Sequence, residues 1–132
     1  MTMMTHQPRI LVVEDDPDVA SMLAIRLVAA RYEAQIVRTG AVALGRLMTE
    51  RPDLVLLDIQ LPDISGYTVC EELRHRYERG TLPVVMFTVL DRPSEQQRGL
   101  AAGADAYLSK HDNIATLLKT IAFLLSSRPA PA

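Results

Sequence analysis

Acidic side chains recur in this chain of 132 residues at places where they could do chemistry. Three acids follow one another at Glu14, Asp15 and Asp16, and Asp58 stands between an apolar run and a proline-bearing segment. Carboxylates brought close together raise one another's pKa unless a cation lies among them. Carboxylate and carbonyl oxygens suit a hard divalent ion, so Mg²⁺ is the expected metal. Zinc is not expected, because no histidine or cysteine lies near these acids.

A hydroxyl and an ammonium complete this set of reactive groups. Thr88 ends another apolar run, and Lys110 is one of only two lysines in the chain, the other being Lys119. In such a set Asp58 would attack a phosphoryl group in line as the covalent nucleophile, while the metal and Lys110 neutralise the phosphoryl oxygens. Thr88 would hydrogen-bond the transferred group. The residue types therefore indicate phosphoryl transfer.

The elements that must position these groups alternate regularly between strand-like and helix-like segments. The strand-like segments are residues 10–13, 34–38, 53–57, 83–88 and 104–108. Regular alternation predicts an α/β fold with a parallel sheet, right-handed crossovers and helices on both faces. The first, third and fourth segments are continuously apolar and should be central, which fits a doubly wound five-stranded sheet of order 2-1-3-4-5. In that order the acids after the first and third strands meet at the topological switch point.

Polar residues at predicted helix ends are interpreted as caps rather than ligands. Asp16, followed by Pro17, is predicted to cap the first helix, Ser94 the fourth and Asp112 the fifth. The third helix should run to near Gly80.

Length and composition indicate one ordinary globular domain, with 48% hydrophobic and 23% charged residues and a single cysteine, Cys70. The net charge of −2 offers no basic surface for nucleic acid or membrane. No apolar stretch approaches the roughly 18 residues of a membrane span, and residues 1–8 lack the apolar core of a signal peptide. We therefore expect a cytoplasmic domain over residues 9–127, with a disordered tail at 1–8 and a tail or the start of a linker at 128–132.

The chain resembles a two-component response-regulator receiver domain from about Arg9 to Ser127. Each matching segment is weak alone, but together, in this order and at the expected strand ends, they are highly specific. They are Ile10–Asp16, Asp53–Gly66, Val84–Thr88 and Gly103–Lys110. The resemblance implies a flavodoxin-like (βα)5 receiver fold.

The resemblance implies that Asp58 accepts a phosphoryl group from a sensor histidine kinase or a phosphotransfer protein. It implies that Glu14, Asp15, Asp58 and the backbone carbonyl of Gln60 organise Mg²⁺, with Mn²⁺ as a substitute. The domain would be a phosphoacceptor that assists its own phosphorylation and dephosphorylation, rather than an enzyme.

The resemblance also implies a switch. Thr88 and Lys110 would contact the phosphoryl group, Thr88 would move toward it, and Tyr107 would rotate inward. That movement would rearrange the face built from the fourth helix, the fifth strand and the fifth helix. The downstream partner is not written in the sequence; we expect no direct nucleic-acid or membrane binding, and a homodimer is compatible with the family.

Two positions depart from the family pattern, and two more lie where the family tunes hydrolysis of the phosphoryl group. His111 stands where the family usually has proline, often after a cis peptide; because a cis bond to another residue costs roughly 2.5–4 kcal/mol, we predict a trans Lys110–His111 peptide. Val89 is bulkier than the usual alanine or glycine and should narrow access to Asp58. Neither Gln60 nor Leu90 is a general base, which predicts a long-lived phosphoryl state.

Three other functions share part of this pattern. An aspartate-nucleophile phosphatase normally has a second aspartate two positions after the first, where this chain has Gln60. In a flavodoxin-like cofactor binder the first loop should donate hydrogen bonds to phosphate, which the acids from Glu14 to Asp16 would repel. A pseudo-receiver, an interaction module not regulated by phosphorylation, is the alternative function, supported only by His111 and Val89.

Overall fold

The computed structural model describes residues 7–127, in which five strands alternate with five helices. The elements are β1 (Arg9–Val13), α1 (Pro17–Ala29), β2 (Glu33–Val37), α2 (Gly40–Thr49), β3 (Leu54–Leu57), α3 (Gly66–Arg74), β4 (Val84–Thr88), α4 (Pro93–Ala102), β5 (Ala106–Ser109) and α5 (Ile114–Ser127). All neighbouring strands are parallel, in the order β2-β1-β3-β4-β5. The predicted doubly wound sheet, with β2 and β5 at its edges, is confirmed. Within residues 7–127 no helix is long and apolar enough to cross a bilayer.

The core lies on both faces of this sheet, because successive strand side chains point to opposite sides. On one face Leu11 and Val13 of β1 belong to a buried cluster that includes residues of α2 and α3. On the other face Ile10 and Val12 pack in a second cluster with residues of α1 and α5. Helix α4 differs from the other helices, since Gly99 is its only buried residue.

The cap of the first helix is confirmed, and the cap of the fourth is not the predicted one. The Asp16 carboxylate accepts hydrogen bonds from the backbone N–H groups of the first turn of α1. Helix α4 begins at Pro93, so Ser94 lies inside the first turn rather than at the cap. The backbone N–H of Arg92 donates to Glu95 Oε1 at 3.1 Å. Proline presets the helical φ at the first position, so the helix starts two residues earlier than predicted.

The prediction that Asp112 caps the fifth helix is wrong. Asn113 Oδ1 accepts from the backbone N–H of Ala115 at 2.9 Å, whereas Asp112 accepts from the backbone N–H of Ser109 at 3.1 Å. The Asp112 carboxylate therefore stabilises the turn that follows β5, and Asn113 caps α5.

The third helix ends at Arg74, six residues before the predicted stop at Gly80. The Arg74 guanidinium donates to the carbonyls of Leu82 and Gly103, both at 2.8 Å, and to the Asp105 carboxylate at 3.0 Å. The chain after α3 therefore turns around this side chain instead of continuing the helix. Asp105 also accepts from the backbone N–H of Val84 at 2.8 Å, and the fifth strand starts after it, at Ala106.

Candidate functional site

The carboxyl ends of β1 and β3 bring two acidic side chains together. Val13 pairs with Leu57 in the parallel register, so the next residues, Glu14 and Asp58, leave the sheet side by side. The backbone N–H of Asp58 donates to the Val13 carbonyl at 3.0 Å, which continues the ladder to this point. Glu14 is only 2% exposed and Asp58 only 5%. Two neighbouring carboxyl groups are thus held out of water at the edge of the sheet formed by the strands' carboxyl ends, which we call the carboxyl rim.

Lys110 bridges these two carboxylates. Its Nζ lies 2.7 Å from Glu14 Oε1 and 2.8 Å from Asp58 Oδ2, and its side chain is 14% exposed. The position of Lys110 is set by β4, because its backbone N–H donates to the Thr88 carbonyl at 2.8 Å. In the charged state the three groups sum to one net negative charge, so the cluster still attracts a cation.

The pKa values in this cluster reflect burial opposed by hydrogen bonding. Burial raises the pKa of Glu14 above its usual value, although hydrogen bonds from Lys110 and from the backbone N–H of Asp16 act against it. Burial also works to lower the pKa of Lys110, but its hydrogen bonds to Asp58 and Glu14 together outweigh burial, and the pKa is raised. Lys110 therefore stays charged between the two carboxylates.

Two hydrogen bonds hold the Asp58 carboxylate. Its Oδ2 accepts from Lys110 and its Oδ1 from the backbone N–H of Gln60 at 3.2 Å. The loop after Asp58 closes on itself, since the backbone N–H of Gly66 donates to the Ile59 carbonyl at 2.9 Å. A Cβ at Gly66 would collide with the Asp58 carbonyl, so only glycine allows helix α3 to start this close to the carboxylate.

Asp15 does not join this cluster. Successive side chains of an extended segment point to opposite sides, and the residue after the buried Glu14 is exposed. Among residues 7–127 no three aspartate, glutamate, histidine or cysteine side chains are grouped closely enough to hold a metal ion as they stand. The chemistry of the donors nevertheless fits Mg²⁺, because carboxylate and carbonyl oxygens are the groups available here.

Thr88 stands at the same rim, at the end of β4. It is fully buried, and its Oγ1 accepts from the backbone N–H of Leu90 at 3.3 Å. Thr88 pairs in register with Ser109, the residue before Lys110. The predicted hydroxyl and ammonium thus come from adjacent strands at the same level of the sheet.

Tyr107 lies half-buried on β5 with its ring turned toward α4. Its hydroxyl donates to the Leu90 carbonyl at 2.6 Å, and the ring packs against the cluster that α2 and α3 share with the sheet. Burial, and then the nearby Tyr67 hydroxyl, raise the pKa of Tyr107 above its usual value. The ring therefore lies inward, between β5 and α4. We call this position the inward seat of Tyr107.

The predicted trans peptide between Lys110 and His111 is confirmed, because residues 7–127 contain no cis peptide. Side chains brace the turn there: Ser109 Oγ accepts from the backbone N–H of His111 at 3.0 Å. Lys110 reaches both carboxylates without the proline that the family usually has. Val89, at the start of the β4–α4 loop, is 42% exposed, and Leu90 is partly buried.

Sequence reasoning missed residues that fix the surroundings of the site. The carboxylate of Asp63, in the loop after Asp58, accepts from the backbone N–H groups of Gly40 at 2.9 Å and Ala41 at 2.8 Å and so caps α2. Gly99, in the interior of α4, packs against the Tyr107 ring. A glycine inside a helical pattern is itself a signal of close packing, and it could have been used.

Comparisons with known proteins agree with this geometry. A model of the response regulator receiver domain family matches residues 10–122. The DNA-binding dual master transcriptional regulator RpaA of Synechocystis sp. is 35% identical over 118 residues, which cover 89% of this chain and 49% of that protein. The phosphate regulon transcriptional regulatory protein PhoB of Rhizobium meliloti is 38% identical over 118 residues, which cover 89% of this chain and 52% of that protein. The crystal structure of the BeF3-activated N-terminal receiver domain of Klebsiella pneumoniae RstA has a TM-score of 0.83 at 35% identity and covers 89% of this chain and 97% of that one.

These matches differ in how much of each protein they cover. This chain spans about half the length of the two curated relatives but nearly all of the RstA receiver domain. The similarity is therefore that of one domain.

Proposed function

Because this chain belongs to the response regulator receiver domain family, we propose that it takes a phosphoryl group on Asp58 and signals through the change that follows. The observation that carries the proposal is the buried Asp58 carboxylate beside Lys110 Nζ, 2.8 Å away at the switch point of the sheet. The donor would be a sensor histidine kinase or a phosphotransfer protein, as is usual for the family. In the transfer, an Asp58 oxygen forms a bond to phosphorus while the bond from phosphorus to the donor nitrogen breaks.

Each neighbouring group has a role in this step. Lys110 would turn its ammonium from Asp58 to the phosphoryl oxygens, and the Thr88 hydroxyl would donate to one of them. Bound Mg²⁺ would supply the neutralising charge that phosphoryl transfer needs. Glu14, Asp15, Asp58 and the Gln60 carbonyl would hold it, and the exposed Asp15 side chain is free of the packing that would prevent it from turning toward the site.

The signal would leave through the β4–α4 loop. Thr88 Oγ1 accepts from Leu90, and the Leu90 carbonyl accepts from Tyr107. A Thr88 side chain that moves to donate to a phosphoryl oxygen would shift the acceptor of the Leu90 N–H, and the position of Tyr107 would respond. This chain of contacts connects Asp58 chemistry to the face formed by α4, β5 and α5.

The experiment is intact mass after incubation with acetyl phosphate and Mg²⁺. We expect the wild type to gain one phosphoryl group, and Asp58→Asn to gain none. Chelation of the metal should also abolish the gain. Asp91→Asn, which makes the same change at an exposed aspartate in the β4–α4 loop, should behave as the wild type. Equal uptake by Asp58→Asn and the wild type would refute the assignment of Asp58.

The alternative of a pseudo-receiver has no observation in its favour among the described residues. Its only support in the sequence is His111 and Val89. Although the Lys110–His111 peptide is trans, Lys110 Nζ still lies 2.8 Å from Asp58 Oδ2. If no variant gains a phosphoryl group, direct titration with Mg²⁺ separates a site that only its kinase can reach from one that has lost its chemistry.

A further inference from the structure

Helix α4 rests on the domain through a residue that has no side chain. Gly99 is the only buried residue of α4 and lies against Tyr107 and Met86. A Cβ at position 99 would stand 2.6 Å from Tyr107 Cδ2, 2.9 Å from its Cε2 and 2.7 Å from Met86 Sδ. Non-bonded carbon atoms pack at roughly 3.5–4.0 Å. Apart from proline, glycine is the least favourable residue in a helix interior, so its presence here has a packing reason.

Helix α4 is fastened near both of its ends, so it cannot simply move away from position 99. At its first turn the Tyr67 hydroxyl donates to the Glu95 carbonyl at 3.2 Å. The Arg98 guanidinium carbon lies 4.2 Å from the centroid of the Tyr67 ring, a cation–π contact. Near its end Arg79 Nη2 donates to the Leu100 carbonyl at 2.7 Å. A shift of α4 large enough to admit a methyl group would disturb all three contacts.

Of the two side chains that face Gly99, Tyr107 is the one that can leave. Met86 is fully buried in the central strand β4. Tyr107 is half-buried on the edge strand β5, where its ring packing and its hydrogen bond to the Leu90 carbonyl hold the phenol inward. Outward rotation about χ1 would carry the ring to the open side of an edge strand.

We propose that Gly99 is a positioning residue for Tyr107: the missing side chain creates the inward seat, and any side chain at 99 drives the phenol outward. The inference extends the proposed function, because it rests on Tyr107 being the switch that Asp58 phosphorylation biases. Gly99 touches neither Asp58 nor the phosphoryl group in this account. A variant at position 99 should therefore alter the response of the α4, β5 and α5 face while leaving phosphoryl uptake intact.

The test is ¹⁹F NMR of protein labelled with 3-fluorotyrosine, recorded without phosphodonor. The chain has four tyrosines, and loss of one resonance in Tyr107→Phe assigns the signal. In the wild type we expect a small shift of this resonance between H₂O and D₂O, and in Gly99→Ala the larger solvent shift of an exposed ring. Gly45→Ala is the matched control, since a Cβ at that helical glycine meets nothing within 4 Å. A Tyr107 signal that stays protected in Gly99→Ala would overturn the proposal.

Thermal unfolding keeps the proposal testable if Gly99→Ala is poorly folded. Gly99→Ala should lower Tm by several °C in the wild type and by clearly less in a Tyr107→Ala background, where only the contact with Met86 remains. Equal lowering in both backgrounds would show that the methyl group conflicts with something other than Tyr107. Intact mass with acetyl phosphate is measured in parallel. A wild type that takes no phosphoryl group from acetyl phosphate and binds no Mg²⁺ would refute the proposed function and leave the NMR result on the inward seat standing.

Discussion

Replacing Lys110 with methionine should destabilise the fold far more than the same change at Lys119. Both substitutions remove one positive charge and keep a long apolar side chain. Lys119 is exposed on α5, whereas Lys110 bridges the buried carboxylates of Glu14 and Asp58 at 2.7 and 2.8 Å. The Lys110 variant leaves two neighbouring acids out of water without their cation.

The size of the effect follows from this geometry. Removing one partner of a buried ion pair typically costs about 3–5 kcal/mol, because an uncompensated charge remains. Lys110 is 14% exposed at the rim of the sheet, so water entering the gap and proton uptake by Glu14 relieve part of this cost. We therefore expect a loss of about 2–4 kcal/mol for Lys110→Met, against less than about 0.5 kcal/mol for Lys119→Met.

The assay is urea unfolding followed by circular dichroism at neutral pH with chelator present. With a slope of about 1.5 kcal/mol per molar urea, a loss of about 3 kcal/mol moves the midpoint by about 2 M. In an Asp58→Asn background the cost of Lys110→Met should fall, because one carboxylate then remains in place of two. Losses for Lys110→Met and Lys119→Met that agree within about 0.5 kcal/mol would refute the view that Lys110 compensates buried charge.

Four further predictions follow from individual contacts. Arg74→Lys should lower the free energy of unfolding in urea by about 2–4 kcal/mol, because the guanidinium is hydrogen-bonded to several carbonyls and to a carboxylate. Arg76 is exposed, so a similar loss for Arg76→Lys would contradict this reasoning. Backbone hydrogen bonds from α2 lower the pKa of Asp63 below its usual value, so Asp63 stabilises the fold above its unfolded pKa and loses this effect as the pH falls through its folded pKa. Asp63→Asn should therefore weaken the dependence of unfolding free energy on pH at acidic pH, and an unchanged dependence would count against the cap. Cys70 is fully buried and burial raises its pKa to about 11, so a thiol reagent at pH 8 should react only as the protein unfolds; rapid reaction of the native chain would disprove this. The phosphoryl group on the wild type should decay more slowly than on Leu90→Gln, as measured by intact mass over time, and equal decay would speak against a long-lived state.

The sheet order and the convergence of the main reactive groups could be predicted from the sequence, because both depend on coarse patterns. Continuous apolar runs identified β1, β3 and β4 as central strands, and the rule that ligands lie at the carboxyl ends of parallel strands then located Glu14, Asp58, Thr88 and Lys110. Such patterns extend over several residues and survive local exceptions.

Details that depend on a choice between adjacent polar residues could not be predicted in the same way. Arg92 and Asn113 cap the helices assigned to Ser94 and Asp112, and each pair differs by one or two positions. The early end of α3 has a different cause, because Arg74 binds carbonyls that lie far along the chain and meet it only after folding. The outward orientation of Asp15 likewise depends on the local backbone rather than on the spacing of the acids.

On the proposed function, the inward seat of Tyr107 would also limit the strength of the signal that this domain can send. A phosphoryl group can only redistribute molecules between outward and inward states, so its largest possible effect is set by the fraction still outward beforehand. Were about half of the resting molecules inward, full phosphorylation could raise the inward fraction by about twofold at most. If Tyr107 is the switch proposed above, its contacts with Gly99 and Leu90 set the background output of the unstimulated domain as well as its gain. A downstream partner that binds this face would bind to some extent before phosphorylation and more after it. One methyl group on α4 would change the ratio between these two levels of binding.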